Sequence, residues 1–90
     1  MKADSAYIAR LLKTARGQID GILRMVEEDR YCIEVTNQIT AAESVLRRCK
    51  REILRAHLEG CVRDALLTGS KQEADDKIAE LIDVFERFMD

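Results

Sequence analysis

The chain has 90 residues, which is enough for one small domain with a modest core. Only 4% of the residues are aromatic, proline and tryptophan are absent, and 36% are charged, a composition typical of long helices. The net charge of −2 does not by itself indicate a nucleic-acid partner, and the shortness of the apolar runs excludes a membrane span.

Apolar residues at spacings of three and four predict an all-α domain with three helices, at about residues 5–28, 32–68 and 71–89. Ser5 is the expected N-cap of the first helix. Gly69 is expected to end the second helix at the C′ position. The third helix has an apolar stripe made of Ile78, Leu81, Ile82, Phe85, Phe88 and Met89.

The second helix carries an unbroken seven-residue repeat of apolar and small residues, the pattern of paired helices. The repeat consists of Val35, Ile39, Ala42, Leu46, Cys49, Ile53, Ala56 and Gly60. It predicts that this helix pairs with its own copy in a second chain. Such a contact follows two-fold symmetry and joins identical surfaces.

Three side chains of metal-binding type, Cys32, His57 and Cys61, follow the spacing Cys-x24-His-x3-Cys. His57 and Cys61 are one helical turn apart, but 25 residues at ~1.5 Å each put Cys32 roughly 37 Å from His57 along one helix. Cys32 must therefore come from a second chain, which an antiparallel dimer with its dyad near Val45 and Leu46 would allow.

The donor set of two thiolates and one imidazole suits a three-coordinate Cu(I) ion, whereas Zn(II) would require a fourth ligand. Inert cysteines and a surface histidine are the alternative interpretation. Cys49 lies in the seven-residue repeat and is interpreted as core. The segment Met1–Ser5 has no apolar signal core, so we expect a cytoplasmic protein whose cysteines are reduced.

Residues 47–55 carry five basic side chains against one acid, Glu52. This stripe is either a solvated helix face or an anion-binding surface. A Cys-His nucleophile without an oxyanion site or a substrate cavity is a weak basis for catalysis, so we do not expect an enzyme.

The sequence RGQIDGILRM (residues 16–25), the step from Tyr31 to Cys32, Gln38-Ile39 and the His57-Leu58-x-x-Cys61 motif resemble the CsoR/RcnR/FrmR family of bacterial transcriptional repressors. The resemblance covers about residues 10–84, and the Cys-His-Cys spacing matches its copper-sensing branch. It implies a three-helix protomer, a dimer of dimers, and operator DNA that is released when Cu(I) binds.

By resemblance, Cys32, His57 and Cys61 are the copper ligands, and Tyr31 and Glu80 are an outer pair near the histidine. Arg51 matches a DNA-contact position of the family, while the basic position expected in the first helix is occupied by Leu11. The full set of expected DNA-binding residues is Arg10, Lys13, Arg16, Arg47, Arg48, Lys50, Arg51 and Arg55.

These expectations favour a Cu(I)-responsive repressor that acts as a homodimer or homotetramer. One alternative is a persulfide or redox sensor that uses Cys32 and Cys61 in a reversible bridge between chains. Another is a copper-buffering protein without DNA contact, against which the basic stripe argues. His57 distinguishes the copper-responsive repressor from the persulfide sensor, because a copper site needs a third ligand and thiol chemistry does not.

Overall fold

The computed structural model describes residues 1–89 of the chain; the side chains of residues 61, 62 and 89 lie outside this description. Within it the chain is all-α, as predicted, and consists of helices joined by short connections. None of the described helices is both long enough and apolar enough to cross a membrane.

The first helix, α1, spans Ser5–Glu27. Its N-cap is Asp4 and not Ser5, because the Asp4 carboxylate accepts hydrogen bonds from the backbone N–H groups of Ala6 at 3.0 Å and Tyr7 at 3.3 Å. A carboxylate satisfies these two free N–H groups and also favours the positive end of the helix dipole.

The predicted second helix is divided into three parts. An α-helix, α2, spans Cys32–His57, a π-helical turn spans Leu58–Val62, and a short α-helix, α3, spans Arg63–Thr68. Gly60 lies in the π turn, where its lack of a side chain weakens regular helix geometry. The predicted single helix of residues 32–68 therefore has a wider turn near its carboxyl end.

The last helix, α4, spans Lys71–Met89 and is preceded by a tight connection. Ser70 caps α4, since its hydroxyl accepts from the Glu73 N–H at 3.1 Å. Gly69 does not adopt the left-handed conformation expected at a C′ position. A glycine is needed at this position because there is no room for a side chain. An added Cβ would lie 2.6 Å from the Ala65 carbonyl oxygen and would also meet the Glu73 carboxylate.

The helix pair formed by α1 and α2 contains the small core of the chain. Ile8 and Ala15 of α1 are 5% and 2% exposed, and Ala42 and Cys49 of α2 are 6% and 5% exposed. Burial of Cys49 confirms its interpretation as a core residue. Ala42 and Cys49 are seven residues apart, so one edge of the predicted repeat contacts α1 within the chain, where small side chains let the helices approach closely.

The other edge of the repeat stays uncovered from the first turns to the middle of α2, where Ile39 and Leu46 are 45% and 42% exposed. The Cα atoms extend over 58 × 27 × 13 Å, so the chain is little more than one helix thick. A layer this thin leaves large apolar side chains exposed on several helices. They include Leu12, Ile19, Leu23, Val26, Ile78, Ile82 and Phe85.

Candidate metal centre and basic face

The first two candidate metal ligands lie at opposite ends of one helix. Cys32 is the first residue of α2 and His57 is the last. Straight α-helical geometry separates them by roughly 37 Å, at ~1.5 Å per residue. The Cys32 side chain is exposed, and that of His57 is 32% exposed. One chain does not bring these two side chains to one metal ion.

The third candidate ligand, Cys61, lies in the π turn that follows His57 directly. Its side chain lies outside the described part of the structure. π-helical turns within longer helices occur frequently at functional sites. Among the described side chains, no group of three His, Cys, Asp or Glu residues is close enough to hold a metal ion.

His57 faces the C-terminal helix, where it meets Glu80. Its Nε2 atom lies 3.5 Å from the Glu80 carboxylate, whose other oxygen is 3.5 Å from the Lys77 ammonium. A carboxylate beside the imidazole is the kind of outer partner that orients a metal-binding histidine. The sequence-based expectation placed Glu80 near the histidine, and the structure puts the two in contact.

The other expected outer residue, Tyr31, is not near His57 of the same chain. It precedes Cys32 as the N-cap residue of α2, makes no capping hydrogen bond with its side chain, and is 66% exposed. Tyr31 and Cys32 therefore lie together at the start of α2, and we call them the first candidate half-site. His57, Glu80 and the π turn lie together at its end, and we call them the second candidate half-site.

A cavity of about 420 Å³ separates α2 from α4 beside the second half-site. Its walls include the apolar side chains of Ile53, Leu54 and Val84. At its far end the Lys50 ammonium lies 4.7 Å from the centre of the Phe88 ring, a cation–π contact. α4 thus runs antiparallel to α2 and contacts it through side chains at both ends of the cavity.

The candidate DNA-binding residues are exposed on α1 and α2, but they differ in what they contact. Arg47 and Arg51 are exposed one turn apart on α2, and neither makes an ion pair among the described residues. Arg10 lies over the Tyr7 ring at 5.6 Å. The remaining candidates that are exposed without a described ion pair are Lys13, Arg16, Arg48 and Lys50, of which Lys50 makes the cation–π contact with Phe88.

Arg55 differs from the others because two carboxylates hold it. Its guanidinium donates to Glu52 at 2.7 Å and to Glu59 at 3.1 Å. The hydrogen bond and charge of Glu52, and then those of Glu59, raise the pKa of Arg55 above its ordinary value. The stripe at residues 47–55 is thus neutralised at its carboxyl end.

The comparison with known protein families decides the class. The family model described as metal-sensitive transcriptional repressor matches residues 4–87. The chain belongs to this family. That membership confirms the sequence resemblance.

Individual members of the family are also similar to the chain. It is 51% identical over 72 residues to the copper-sensing transcriptional repressor CsoR of Mycobacterium tuberculosis (strain H37Rv), a match that covers 80% of the chain and 58% of that relative. The chain spans between 58% and 61% of the length of the mycobacterial CsoR relatives that it matches.

Two solved structures share the fold of this family member. The crystal structure of the copper-sensing repressor CsoR with Cu(I) from Geobacillus thermodenitrificans NG80-2 matches with a TM-score of 0.86 and 34% identity, over 94% of this chain and 85% of that one. The nickel-responsive transcriptional regulator InrS matches with a TM-score of 0.82 and 31% identity, over 98% and 96% of the two chains.

Two features of the site were missed by the sequence analysis. The π turn has a weak signal, a glycine inside a helical pattern. The double pairing of Arg55 has a stronger one, because Glu52 and Glu59 lie three residues before and four residues after it, at spacings that meet on a helix surface.

Proposed function

We propose that this protein is a Cu(I)-responsive transcriptional repressor that binds operator DNA in its metal-free form and releases it when Cu(I) binds between two chains. The observation that carries the proposal is the position of Cys32 and His57 at opposite ends of α2. Family membership supports a DNA-binding regulator, and the copper-sensing relatives support Cu(I) as the signal.

The residues available fit Cu(I). Two thiolates, Cys32 and Cys61, and the His57 imidazole form a soft donor set suited to low coordination numbers. When bound, Cu(I) would form a strong bond to each thiolate, and no chemical reaction would follow at the site. The ligands that this chain provides must lose their protons for binding, and Glu80 would hold the His57 ring so that one nitrogen stays free.

An antiparallel dimer would complete two such sites at once. The uncovered edge of α2, with Ile39 and Leu46 exposed, offers an apolar surface for the same edge of a second chain. With its dyad near Val45 and Leu46, that pairing would bring the half-site at Cys32 to the partner's half-site at His57. The apolar residues exposed on α1 and α4 favour further assembly into a tetramer.

The DNA surface would be the basic face of α2 around Arg47 and Arg51, extended by the basic residues of α1. Phosphate contacts from such side chains position a protein on the duplex and make its affinity depend on salt. A dimer presents this face twice, and a tetramer four times. Since operator DNA and reduced thiols are both found in the cytoplasm, we place the protein there.

One experiment tests the main proposal. DNA binding by the wild-type chain is measured under anaerobic, reducing conditions, first without metal and then with one Cu(I) per chain. Tight binding without metal and a large loss of affinity with Cu(I) are expected. DNA binding that Cu(I) leaves unchanged would refute the copper switch.

A second candidate function is a persulfide or redox-sensing repressor, which the exposed Cys32 thiol favours. It would use the same two cysteines and the same dimer, with a sulfur bridge in place of the metal. Loss of DNA binding after treatment with a polysulfide, with no effect of Cu(I), would select this function over the first. A copper-buffering protein would bind Cu(I) and no DNA.

A further inference from the structure

Arg55 joins the end of α2 to the turn that carries Cys61. One of its terminal nitrogens donates to Glu52 on α2 at 2.7 Å, and the other donates to Glu59 in the π turn at 3.1 Å. The Arg55 side chain remains 57% exposed, so these bonds lie at the surface. A single guanidinium thus bridges the regular helix and the π turn.

The same nitrogens are those that a DNA phosphate would use. A guanidinium binds a phosphate through its paired N–H donors, and both terminal nitrogens of Arg55 already donate to carboxylates. Two carboxylates beside one guanidinium also leave a net negative charge that repels a phosphate. Arg51, one turn earlier on the same face, has no described carboxylate partner and lacks this competition.

We propose that Glu59 and Glu52 compete with DNA phosphate for Arg55, so that the conformation of the π turn sets how much Arg55 contributes to DNA binding. This inference rests on the proposed DNA-binding function and adds a residue-level control to it. Arg55 is then a conditional DNA contact, whereas Arg47 and Arg51 are exposed and have no described carboxylate partner that competes for them.

The position of Glu59 connects this competition to the metal. Glu59 lies two residues after His57 and two residues before Cys61. A metal held by both ligands would restrain the π turn and keep Glu59 beside Arg55. Without that restraint Glu59 still competes for Arg55, which it contacts at 3.1 Å here, but it is held there less firmly and a phosphate can displace it. The metal would then lower DNA affinity because it favours the conformation in which Glu59 holds Arg55. A ligand shifts a second binding equilibrium only when it binds two conformations with different affinities.

The test uses Glu59→Gln with a matched control, Glu43→Gln. Both substitutions remove one negative charge from the exposed surface between residues 43 and 59, but Glu43 has no ion pair among the described residues. The DNA is a duplex that the wild-type protein selects from a random-sequence pool. Affinity is measured without metal over a range of salt concentrations, and circular dichroism verifies that each variant is folded.

We expect Glu59→Gln to bind the duplex roughly two- to five-fold more tightly than Glu43→Gln, the size of effect that a surface ion pair produces. The logarithmic salt dependence should steepen by about one unit for each Arg55 that gains a phosphate contact. Glu52→Gln should change affinity in the same direction. In an Arg55→Ala background the gain from Glu59→Gln should vanish.

The failure of this inference is distinguishable from the failure of the proposed function. If the wild-type protein selects no duplex, the DNA-binding proposal fails. If a duplex is bound but Glu59→Gln and Glu43→Gln have the same affinity and salt dependence, the competition for Arg55 is refuted. Cu(I) should also release less DNA from Glu59→Gln than from Glu43→Gln, and equal release would remove Glu59 from the coupling.

Discussion

Cys32 and His57 are the first and last residues of the same α-helix, α2. A helix is a stiff rod, so the distance between its ends is fixed by the number of residues and not by the flexibility of side chains. A metal ion that needs both side chains must therefore lie between two molecules. In the proposed function, sensing and assembly are therefore one property, because a single chain cannot form the proposed site.

Two variants that each lack a different thiolate ligand should restore a metal site when they are mixed. Cys32→Ala and Cys61→Ala should each abolish tight Cu(I) binding when tested alone, since each removes one of two thiolates from every site. After unfolding and refolding together, random pairing should restore about a quarter of the wild-type capacity, because half of the dimers are mixed and each holds one intact site. Cu(I) competition against a chelator measures the recovery.

The control for this mixing experiment is Cys49→Ala, which should keep full capacity because Cys49 is 5% exposed and lies in the core. A mixture that recovers no capacity, while mixed dimers are detected by native mass spectrometry, would refute a site shared between chains.

A charge on the uncovered edge of α2 should break the dimer. Leu46 is 42% exposed in the single chain and lies at the proposed dyad, where two copies of a substituted side chain would meet. Leu46→Glu would bury two like charges in an apolar contact, which costs several kcal/mol. Light scattering should show a large shift toward monomer, and Cu(I) affinity should fall with it.

Ser44→Glu is the matched control, since Ser44 is exposed two residues away on the opposite side of α2 and is not expected at the dimer contact. It should keep the wild-type mass. Dimers of unchanged stability in Leu46→Glu would show that the chains pair through another surface.

Arg51 should contribute to DNA affinity in a salt-dependent way. Arg51→Ala removes an exposed cation that has no described ion pair, so phosphate contacts are lost without disturbing the chain. The affinity should fall across different sequences, and the logarithmic salt dependence should flatten by about one unit for each lost contact. Metal affinity should stay nearly constant.

The control is Arg87→Ala, which removes the same charge from α4, where Arg87 pairs with Asp83 at 3.0 Å. Equal losses in the two variants would mean that net charge alone explains the effect. No loss in Arg51→Ala at any salt concentration would remove Arg51 from the DNA surface.

Two glycines should respond in opposite ways to the same substitution. An added Cβ at Gly17 meets nothing within 4 Å, so Gly17→Ala should raise the free energy of unfolding by about 0.5–1 kcal/mol through helix propensity. An added Cβ at Gly69 would meet the Ala65 carbonyl oxygen at 2.6 Å, so Gly69→Ala should lower the stability by about 1–3 kcal/mol. Thermal unfolding measures both, and a stabilising Gly69→Ala would contradict the packing of the α3–α4 connection.

The helices could be predicted from the sequence because the apolar periodicity is regular and no proline interrupts it. The seven-residue repeat in α2 predicted a face for helix pairing between chains, but it did not show that α1 of the same chain takes one edge of that face, at Ala42 and Cys49. Periodicity identifies an apolar stripe without naming its partner. Small residues on one edge, against the larger Ile39 and Leu46 on the other, were the available signal.

The site was predicted in part. The contact between His57 and Glu80 came from the resemblance to a family, since no local rule relates residues 23 positions apart in sequence. The pairing of Arg55 with Glu52 and Glu59 follows from helical spacing. Counting the charges of residues 47–55 did not reveal it, because such a count does not consider which side chains meet. The π turn depends on the local balance of backbone hydrogen bonds, which the sequence expresses only through Gly60.

His57 is the residue that should separate metal binding from regulation. It belongs to α2, the helix that carries Arg47 and Arg51, and its Nε2 lies 3.5 Å from Glu80 on α4. A metal that binds its other nitrogen would fix α2 relative to α4 and to the partner's Cys32. His57→Ala should therefore still bind Cu(I) through Cys32 and Cys61, more weakly, and lose most of the Cu(I)-dependent change in DNA affinity.

The test measures DNA binding at a Cu(I) concentration that saturates the variant, so that weaker metal binding does not mimic lost coupling. Glu80→Gln keeps the shape of the side chain and removes the charge that orients the imidazole, so it should reduce the regulatory effect with less loss of Cu(I) affinity. Under the persulfide alternative, His57→Ala would respond to polysulfide as the wild type does. A His57→Ala protein that releases DNA normally when saturated with Cu(I) would show that the thiolates alone drive the switch.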